Sequence, residues 1–516
     1  MGSDTPVSGR GRWLALVAAL LGWMFDGLEM GLFPLVGRPA LRDLFGPGVS
    51  EGTVGQWYGV ITAGFLVGAA TGGVLFGWLG DKFGRVRALT LSVLVYAGCS
   101  GASAFAAAPW QLAGLRYAGA LGMGGEWALG VALVMELWPN TSRAWLAGWI
   151  GAFGNLGYCI IGLVALGLNR VGGELPNWLA GVGVSEAWTH WLANPAHGNW
   201  RLLMLVGVLP AVLTLFIRLF VPESQRWLRE KESGAASHWS GYDLLAVLFG
   251  AAVASGVIAV WAINQPWAIK TLTDELGLTA EGAITAFWTT RLTITVFGLI
   301  AVTLGYLYPA RQYLSRATSE SEQRHVLRRM LLGAGLSAVP LLATWGGFMW
   351  IYPWVQKLTN NPDAAPLTQV SSSLGAAFGC IVGALLGGRF GRRPAYAGLC
   401  ALSLVMLLGM FNLNDSFGWQ FVLWAGVTGA VTASFYGWLP LYLPELFPTK
   451  VRATGQGFSY NFGRILAAVG ALQTGNLLTL FGNDYAKACS IAAGVYVVGL
   501  LLIALAPETK GNPLPE

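Results

Sequence analysis

Charge is what this chain has least of. Only 11% of its 516 residues are Asp, Glu, Lys or Arg, against about a quarter in an ordinary soluble domain. At 55% hydrophobic residues, it does not read as a soluble domain; it is an integral membrane protein whose solvent is lipid. The net charge of +6 is no sign of nucleic-acid binding, because the basic residues lie in short loops between apolar runs. Cysteine is scarce as well. Cys99, Cys159, Cys380, Cys400 and Cys489 sit in apolar stretches, without the spacing of a disulfide framework or a metal site. His190, His197, His238 and His325 fall in expected loops, which excludes an intramembrane histidine metal site. The first apolar run continues to about Val36 without a small-residue cleavage site, so no cleaved signal peptide is expected. No nucleophile–base pair, metal cluster or phosphate loop stands at useful spacing. Glycine-rich runs lie inside apolar spans, where dinucleotide binding does not occur. An enzyme is therefore the least favoured class.

What the chain does have is a motif that occurs twice. Residues 77–87 read GWLGDKFGRVR and residues 384–394 read ALLGGRFGRRP. Residues 136–154 read ELWPNTSRAWLAGWIGAFG and residues 445–463 read ELFPTKVRATGQGFSYNFG. The offset is 307 from Arg85 to Arg392 and 309 from Glu136 to Glu445, Arg143 to Arg452 and Gly154 to Gly463. A third pair, VPESQRW at 221–227 and APETKGN at 506–512, closes each half with an offset of 285. Self-similarity between two halves of an apolar chain marks a duplicated membrane transporter.

A membrane-spanning helix needs about 20 apolar residues. Such runs start near Trp13, Val54, Ala88, Trp110, Ala144, Arg201, Tyr242, Thr285, Leu331, Val370, Pro394, Trp419, Ala453 and Tyr485. The spacing predicts about fourteen spanning helices. With the N-terminus cytoplasmic, 21 of the 31 Lys and Arg residues fall in cytoplasmic loops, 7 outside, and Arg116, Arg291 and Arg464 inside spans. That bias sets both termini in the cytoplasm. The repeat leaves residues 229–325 without a partner. They hold two extra spans and a basic linker, an even number that keeps the second half's orientation.

These motifs resemble the major facilitator superfamily. GWLGDKFGRVR is similar to its G-x-L-x-D-x-x-G-R loop, RYAGALGMGG (116–125) to its fourth-helix R-x-x-x-G-x-G-x-G, and VPESQRW and APETKG to loop motifs of its sugar porters. The resemblance implies an all-α membrane protein of two six-helix bundles around a central site, working by alternating access. The expected divisions are an N-terminal bundle at 13–228, an inserted helix pair and linker at 229–328, and a C-terminal bundle at 329–507. Narrower features resemble the branch of sialic acid:proton and other organic-acid symporters. They are GMGGEWALGVALVMELWPNTSRAWLAG, LPELFPTKVRATGQGFSYNFGR and DGLEM (26–30), where Glu29 stands for a second Asp. The sugar porters' paired glutamines of the seventh helix are missing from LSAVPLLATWGGFMWIYPW. A proton gradient, and no cofactor, is the expected driving force. A small anionic substrate, protons and the bilayer are the expected partners of a monomer, in a membrane expected to be a bacterial inner membrane.

Ionisable groups inside spans cost about 2.5–3.5 kcal/mol each, so each needs a reason. Counting at 1.5 Å per residue sets Asp26 and Arg116 both about 20 Å from the cytoplasmic side. A carboxylate beside an Arg stays ionised, and losing that contact in a buried site favours protonation. Asp26 is thus the expected proton carrier with Arg116; the alternative is a permanent ion pair. In related proton-driven porters a first-helix acid and this fourth-helix Arg form such a pair. Glu29, one turn further out, either shares the proton or lines a watery vestibule. Arg464, near the midplane, offers a planar fork matched to a carboxylate; the alternative is a bond to backbone or to Asn461. Glu126 reads as a partner of the basic loops or a second coupling acid, and Arg291 as a packing or snorkelling residue of the inserted pair. Trp23, Phe25, Trp127, Phe435, Tyr436 and Tyr460 are pocket candidates, though each alone reads more readily as packing. Asp81, Arg85, Glu136, Arg143, Glu223 and Arg226, mirrored by Arg392, Glu445, Arg452 and Glu508, form a charged cytoplasmic set. Salt bridges between the bundles there would act as a gate, or the charges only set topology. Gly388 replaces an acid in the second copy, so the gate is expected to be lopsided.

The leading expectation is a proton-coupled symporter of an organic anion, sialic acid or another carboxylate. A sugar or polyol porter or facilitator is the runner-up, and a non-transporting sensor a third class.

Overall fold

The computed structural model describes residues 9–137, 143–171, 174–193, 199–212, 241–263, 265–317, 319–448, 451–512 and 515. The side chains of Asp81, Arg85, Glu126, Trp127, Glu136 and Arg143, and residues Glu223 and Arg226 altogether, lie outside what is described. Helix is the only regular structure among the described residues. An apolar solvent leaves it little choice, because a helix satisfies its own backbone. The first half comprises α1 (Gly9–Phe45), α2 (Glu51–Phe83), α3 (Arg85–Ser103), α4 (Pro109–Leu137), α5 (Arg143–Val171), two short helices α6 (Leu175–Gly181) and α7 (Glu186–Leu192), and α8 (Trp200–Val206). The unrepeated segment forms α9 (Gly241–Ala262), α10 (Gln265–Leu276) and α11 (Ala280–Ala317). The second half comprises α12 (Glu320–Gly346), α13 (Ile351–Leu358), α14 (Ala364–Phe390), α15 (Arg392–Asn412), α16 (Trp419–Ala433), α17 (Phe435–Tyr442), α18 (Arg452–Leu480), α19 (Tyr485–Ala493) and α20 (Val495–Ala504).

Among the described residues, ten helical stretches are long and apolar enough to cross a membrane. The protein is thus a multi-pass membrane protein. The expected span starts fall near helix starts, with α12 the main departure. It begins at Glu320 rather than near Leu331. Ser319 and Glu322 make a capping box there, with the Ser319 N–H donating to Glu322 Oε2 at 3.2 Å. That box starts a polar helical stretch before the apolar run begins. His325 consequently lies on a helix, not in a loop.

The repeated loop motif has a backbone cause. Gly84 and Gly391, the glycines of the two F-G-R copies, have φ of 109° and 106°. Each joins two antiparallel helices through a conformation that a side chain opposes.

Two helix pairs carry the contact between the halves: α2 against α18, and α5 against α14. Small residues allow it. A Cβ on Gly59 would stand 2.8 Å from the Ala471 carbonyl oxygen, and one on Gly475 2.7 Å from that of Gly55. Within the first half, α1 and α5 cross closely at Gly27, Gly154 and Gly157. A Cβ on Gly157 would fall inside contact distance of the Met24 carbonyl oxygen, which belongs to rigid backbone. Gly157→Val is therefore expected to destabilise by about 3 kcal/mol or more. Size-exclusion profile and thermal unfolding in detergent check this; a monodisperse protein of unchanged midpoint would contradict the crossing.

Candidate functional site

Helices that line the centre are interrupted there. α12 stops at Gly346, and a 3-10 turn over Phe348–Trp350 leads into α13. The next interruption is at Ser434, between α16 and α17, where the Ser434 hydroxyl donates to the carbonyls of Gly379 and Ala430, both at 2.9 Å. Broken helices at mid-membrane are where transporters build binding sites. Between the two seams lies a cavity of about 140 Å³ lined by both halves.

The cavity wall is largely aromatic and apolar: Trp23, Phe65, Tyr158, Trp345, Phe348 and Tyr460 stand among its residues. Its polar groups are few. Asp26 and Arg464 both line it, with Asn155, Thr344, Thr432 and Tyr436. The Arg464 guanidinium donates from Nη1 to Asn461 Oδ1 at 3.3 Å and lies over the Tyr460 ring at 4.9 Å. A guanidinium carries five N–H donors, more than its neighbours Asn461 and Tyr460 take. Asn461 itself abuts Gly73 of α2, where a Cβ would come within 2.5 Å of its amide nitrogen. The Trp23 indole N–H is buried and has no hydrogen-bond partner among the described residues. Tyr436 donates to Thr344 at 2.8 Å. Trp127 lies outside the described side chains. Phe25 is partly buried against the core, and Phe435 is fully buried against Tyr396 and Tyr496.

Arg116 takes a partner other than the one depth counting suggested. It pairs with Glu29, not with Asp26, and Ser100 donates to the second Glu29 oxygen. Glu29 and Arg116 are 1% and 2% exposed, and the guanidinium also lies 5.0 Å from the Phe65 ring centroid. The two acids are three residues apart, about 4.5 Å along the axis. Counting depth from uncertain helix ends does not resolve so small a difference. Glu29 is buried in this pair, while Asp26 is the acid that lines the cavity.

Of the charged set at the helix ends, the described members form a knot within the second half. Arg392 makes a two-pronged pair with Glu445, at 2.6 and 2.9 Å, and Thr509 donates to the same carboxylate at 2.6 Å. Glu508 accepts the backbone N–H groups of Arg392 at 2.9 Å and Arg393 at 3.0 Å. Arg452 donates to the carbonyls of Pro444 at 3.2 Å and Pro515 at 2.7 Å. These contacts lie within the second half. Arg291 is packed rather than snorkelling: it is 2% exposed, donates to the Trp261 and Ile263 carbonyls, and lies 4.2 Å from the Phe287 ring centroid.

Several groups escaped sequence reasoning. Met30, Phe65, Tyr158, Trp345 and Phe348 line the cavity but look like ordinary span residues. The Gly346-Gly347 pair was the available signal for the last two.

Two outcomes follow. Removing one partner of a buried ion pair typically costs about 3–5 kcal/mol. Arg116→Met is expected to lower thermal stability by that order, and the double variant with Glu29→Gln to recover most of it, as read by unfolding in detergent. The Glu508 carboxyl is the second case. Burial raises its pKa, but the N–H donors of Arg392, Arg393, Lys510 and Thr509 outweigh that and hold it below its ordinary 4.5. Its stabilising contribution is present above about pH 4.5 and is lost as pH falls through the depressed value. Glu508→Gln is expected to lower the unfolding midpoint at neutral pH, with the gap closing below pH 4.5.

Residues 14–239 and 296–516 match the family described as "Sugar (and other) transporter". The chain is 25% identical over 502 residues to a "Probable 4-methylmuconolactone transporter" of Cupriavidus pinatubonensis, covering 96% of this chain and 90% of that one. It is 26% identical over 485 residues to a "Gallate transporter" of Pseudomonas putida, covering 91% and 86%. Among solved structures, the proton:xylose symporter XylE of the major facilitator superfamily superposes with a TM-score of 0.60 at 16% identity over 98% of both chains. The chain belongs to the sugar (and other) transporter family, and is a multi-pass membrane transporter with the major facilitator fold.

Proposed function

We propose that the protein is a proton-coupled symporter of an organic anion, working by alternating access between its two halves. The observation that carries the reading is one cavity bringing together the Arg464 fork, the Trp23 indole N–H and the Asp26 carboxylate within an aromatic wall. N–H donors on the lining of a largely apolar space favour a carboxylate. Asp26 faces the same space and would carry the proton: with Arg464 occupied by the substrate, protonation of Asp26 removes the repulsion between two anions. Glu29 and Arg116 then hold α1 to α4 rather than titrate in each cycle.

The wall supports a compact, flat acid. Rings stack against Trp345, Phe348 or Tyr460, whereas a polyhydroxylated acid such as sialic acid brings many hydroxyls to few polar partners. Relatives named for gallate and 4-methylmuconolactone support small organic acids. A neutral sugar is the second reading, favoured by the family description and by the likeness to the xylose symporter. The basic bias of the loops supports cytoplasmic termini, with the Arg392–Glu445 knot on the cytoplasmic side and the Arg38–Glu51 end outside. On this reading the chain has about fourteen spans, the inserted pair included. A bacterial inner membrane is the expected setting.

Uptake into proteoliposomes under an imposed inward proton gradient tests the reading, with gallate and other aromatic carboxylates, sialic acid and xylose offered in turn. Gradient-driven uptake of a carboxylate is expected, abolished in Asp26→Asn. Arg464→Lys is expected to lower apparent affinity by on the order of tenfold to a hundredfold, because the fork is lost. Gradient-insensitive sugar uptake unaffected by either change would overturn it.

A further inference from the structure

The two halves are bolted together by two glutamine amides on the side assigned as outer. Gln356 (α13) donates its Nε2–H to the Leu35 carbonyl of α1 at 2.8 Å. Gln369 (α14), fully buried, donates to the Gly31 carbonyl of α1 at 3.1 Å and to the Tyr158 carbonyl of α5 at 3.0 Å. Each of the three bonds crosses from the second half to the first. Both glutamines leave Oε1 buried and without a partner among the described residues, so each amide serves here purely as a donor.

The acceptor at Leu35 has a cause in sequence. In a helix its carbonyl would take the N–H of residue 39, and residue 39 is proline, inside α1. Proline has no N–H. The freed carbonyl lies in an apolar protein and needs an outside donor, which Gln356 supplies. The same logic operates elsewhere: Pro340 frees the Leu336 carbonyl of α12, and the Tyr396 hydroxyl takes it at 2.8 Å. That second bond stays within one half, whereas the Leu35 bond spans both. The strap is closed reciprocally, since Arg38 donates back to the Gln356 carbonyl at 3.3 Å. Arg38 is in turn held by Glu51 through two bonds, at 2.7 and 3.1 Å.

We propose that Gln356 and Gln369 are the positioning residues of an outer latch, which holds α1 against α13 and α14 and releases when the outer side opens. The Pro39-freed carbonyl is the keeper of that latch. This rests on the alternating-access reading above. The bonds made by the two glutamines are between neutral amides and carbonyls; the charge at this contact is the Arg38 guanidinium, which stays paired with Glu51 of the same half.

The test uses accessibility, not transport, so it is read independently of the substrate. Leu478 of α18 is 1% exposed and packs on Gly55 at the same end. A Leu478→Cys reporter is labelled with a membrane-impermeant maleimide from outside, in full-length protein in right-side-out vesicles. Four native cysteines are buried and Cys99 is part-exposed, so the parent without the reporter gives the background. Gln356→Met and Gln369→Met keep side-chain bulk and remove the donor. Each is expected to raise the labelling rate, by about threefold per bond lost. Pro39→Ala restores an N–H aimed at Leu35 and competes with Gln356; it is expected to raise labelling alone and to add nothing to Gln356→Met. Unchanged labelling in both methionine variants, each confirmed monodisperse, would overturn the latch. So would a Pro39→Ala effect that adds in full to Gln356→Met. Labelling shifted as expected, with no uptake of any offered compound by the unsubstituted protein, would support the latch and overturn only the transport reading.

Discussion

One constraint runs through the whole molecule: a polar group inside an apolar solvent must find its partner within the protein. Helices meet it for nearly all of the backbone. What remains are the places where a helix breaks, bends around a proline or carries a charge, and several of these are answered by a side chain from another element. Tyr396 serves the carbonyl freed by Pro340, Gln356 the one freed by Pro39, and Arg291 the Trp261 and Ile263 carbonyls at the end of α9. These answers, with the close glycine crossings, decide which helices are bound to which.

The same constraint separates the two acids of α1. Glu29 is spent on Arg116 and Ser100, a closed set of partners deep between α1, α3 and α4. Asp26, less than a turn away, stands on the cavity with Arg464 across the seam between the halves. An acid locked in a buried pair is a poor proton carrier, because both charges must be rehoused before it titrates. On the proposed reading, Asp26, on the cavity, is the better candidate. The inserted pair fits this picture as a fixed companion of α2. Gln56 donates to the Trp261 and Ile263 carbonyls, and Thr71 bonds Tyr306 at 2.7 Å. Two such contacts, 15 residues apart on one helix, attach it to the first half.

Much of the fold was legible because apolar length and repetition are properties of sequence. Most span starts lie within a few residues of helix starts, α12 excepted, and the repeated F-G-R motif marks the two glycines of positive φ. Arg116 and Arg464 were identifiable as charges needing a reason. Their partners were not, since choosing Glu29 over Asp26 turns on a few ångströms of helix offset. The start of α12 was missed because a capping box, not hydrophobicity, begins it. The amide bolts were missed for a different reason. A glutamine in a span looks unremarkable until the carbonyl it serves is known, and that carbonyl is marked only by a proline four residues on, in the other half of the chain.

The central claim is that the cavity reads a negative charge through Arg464. Equilibrium binding to the purified protein tests it most directly, comparing an aromatic carboxylate with its isosteric amide by intrinsic tryptophan fluorescence. The account predicts that the acid binds at least about tenfold more tightly than the amide, and that the difference disappears in Arg464→Gln. Equal affinity for acid and amide, or a preference that survives the loss of Arg464, would contradict it.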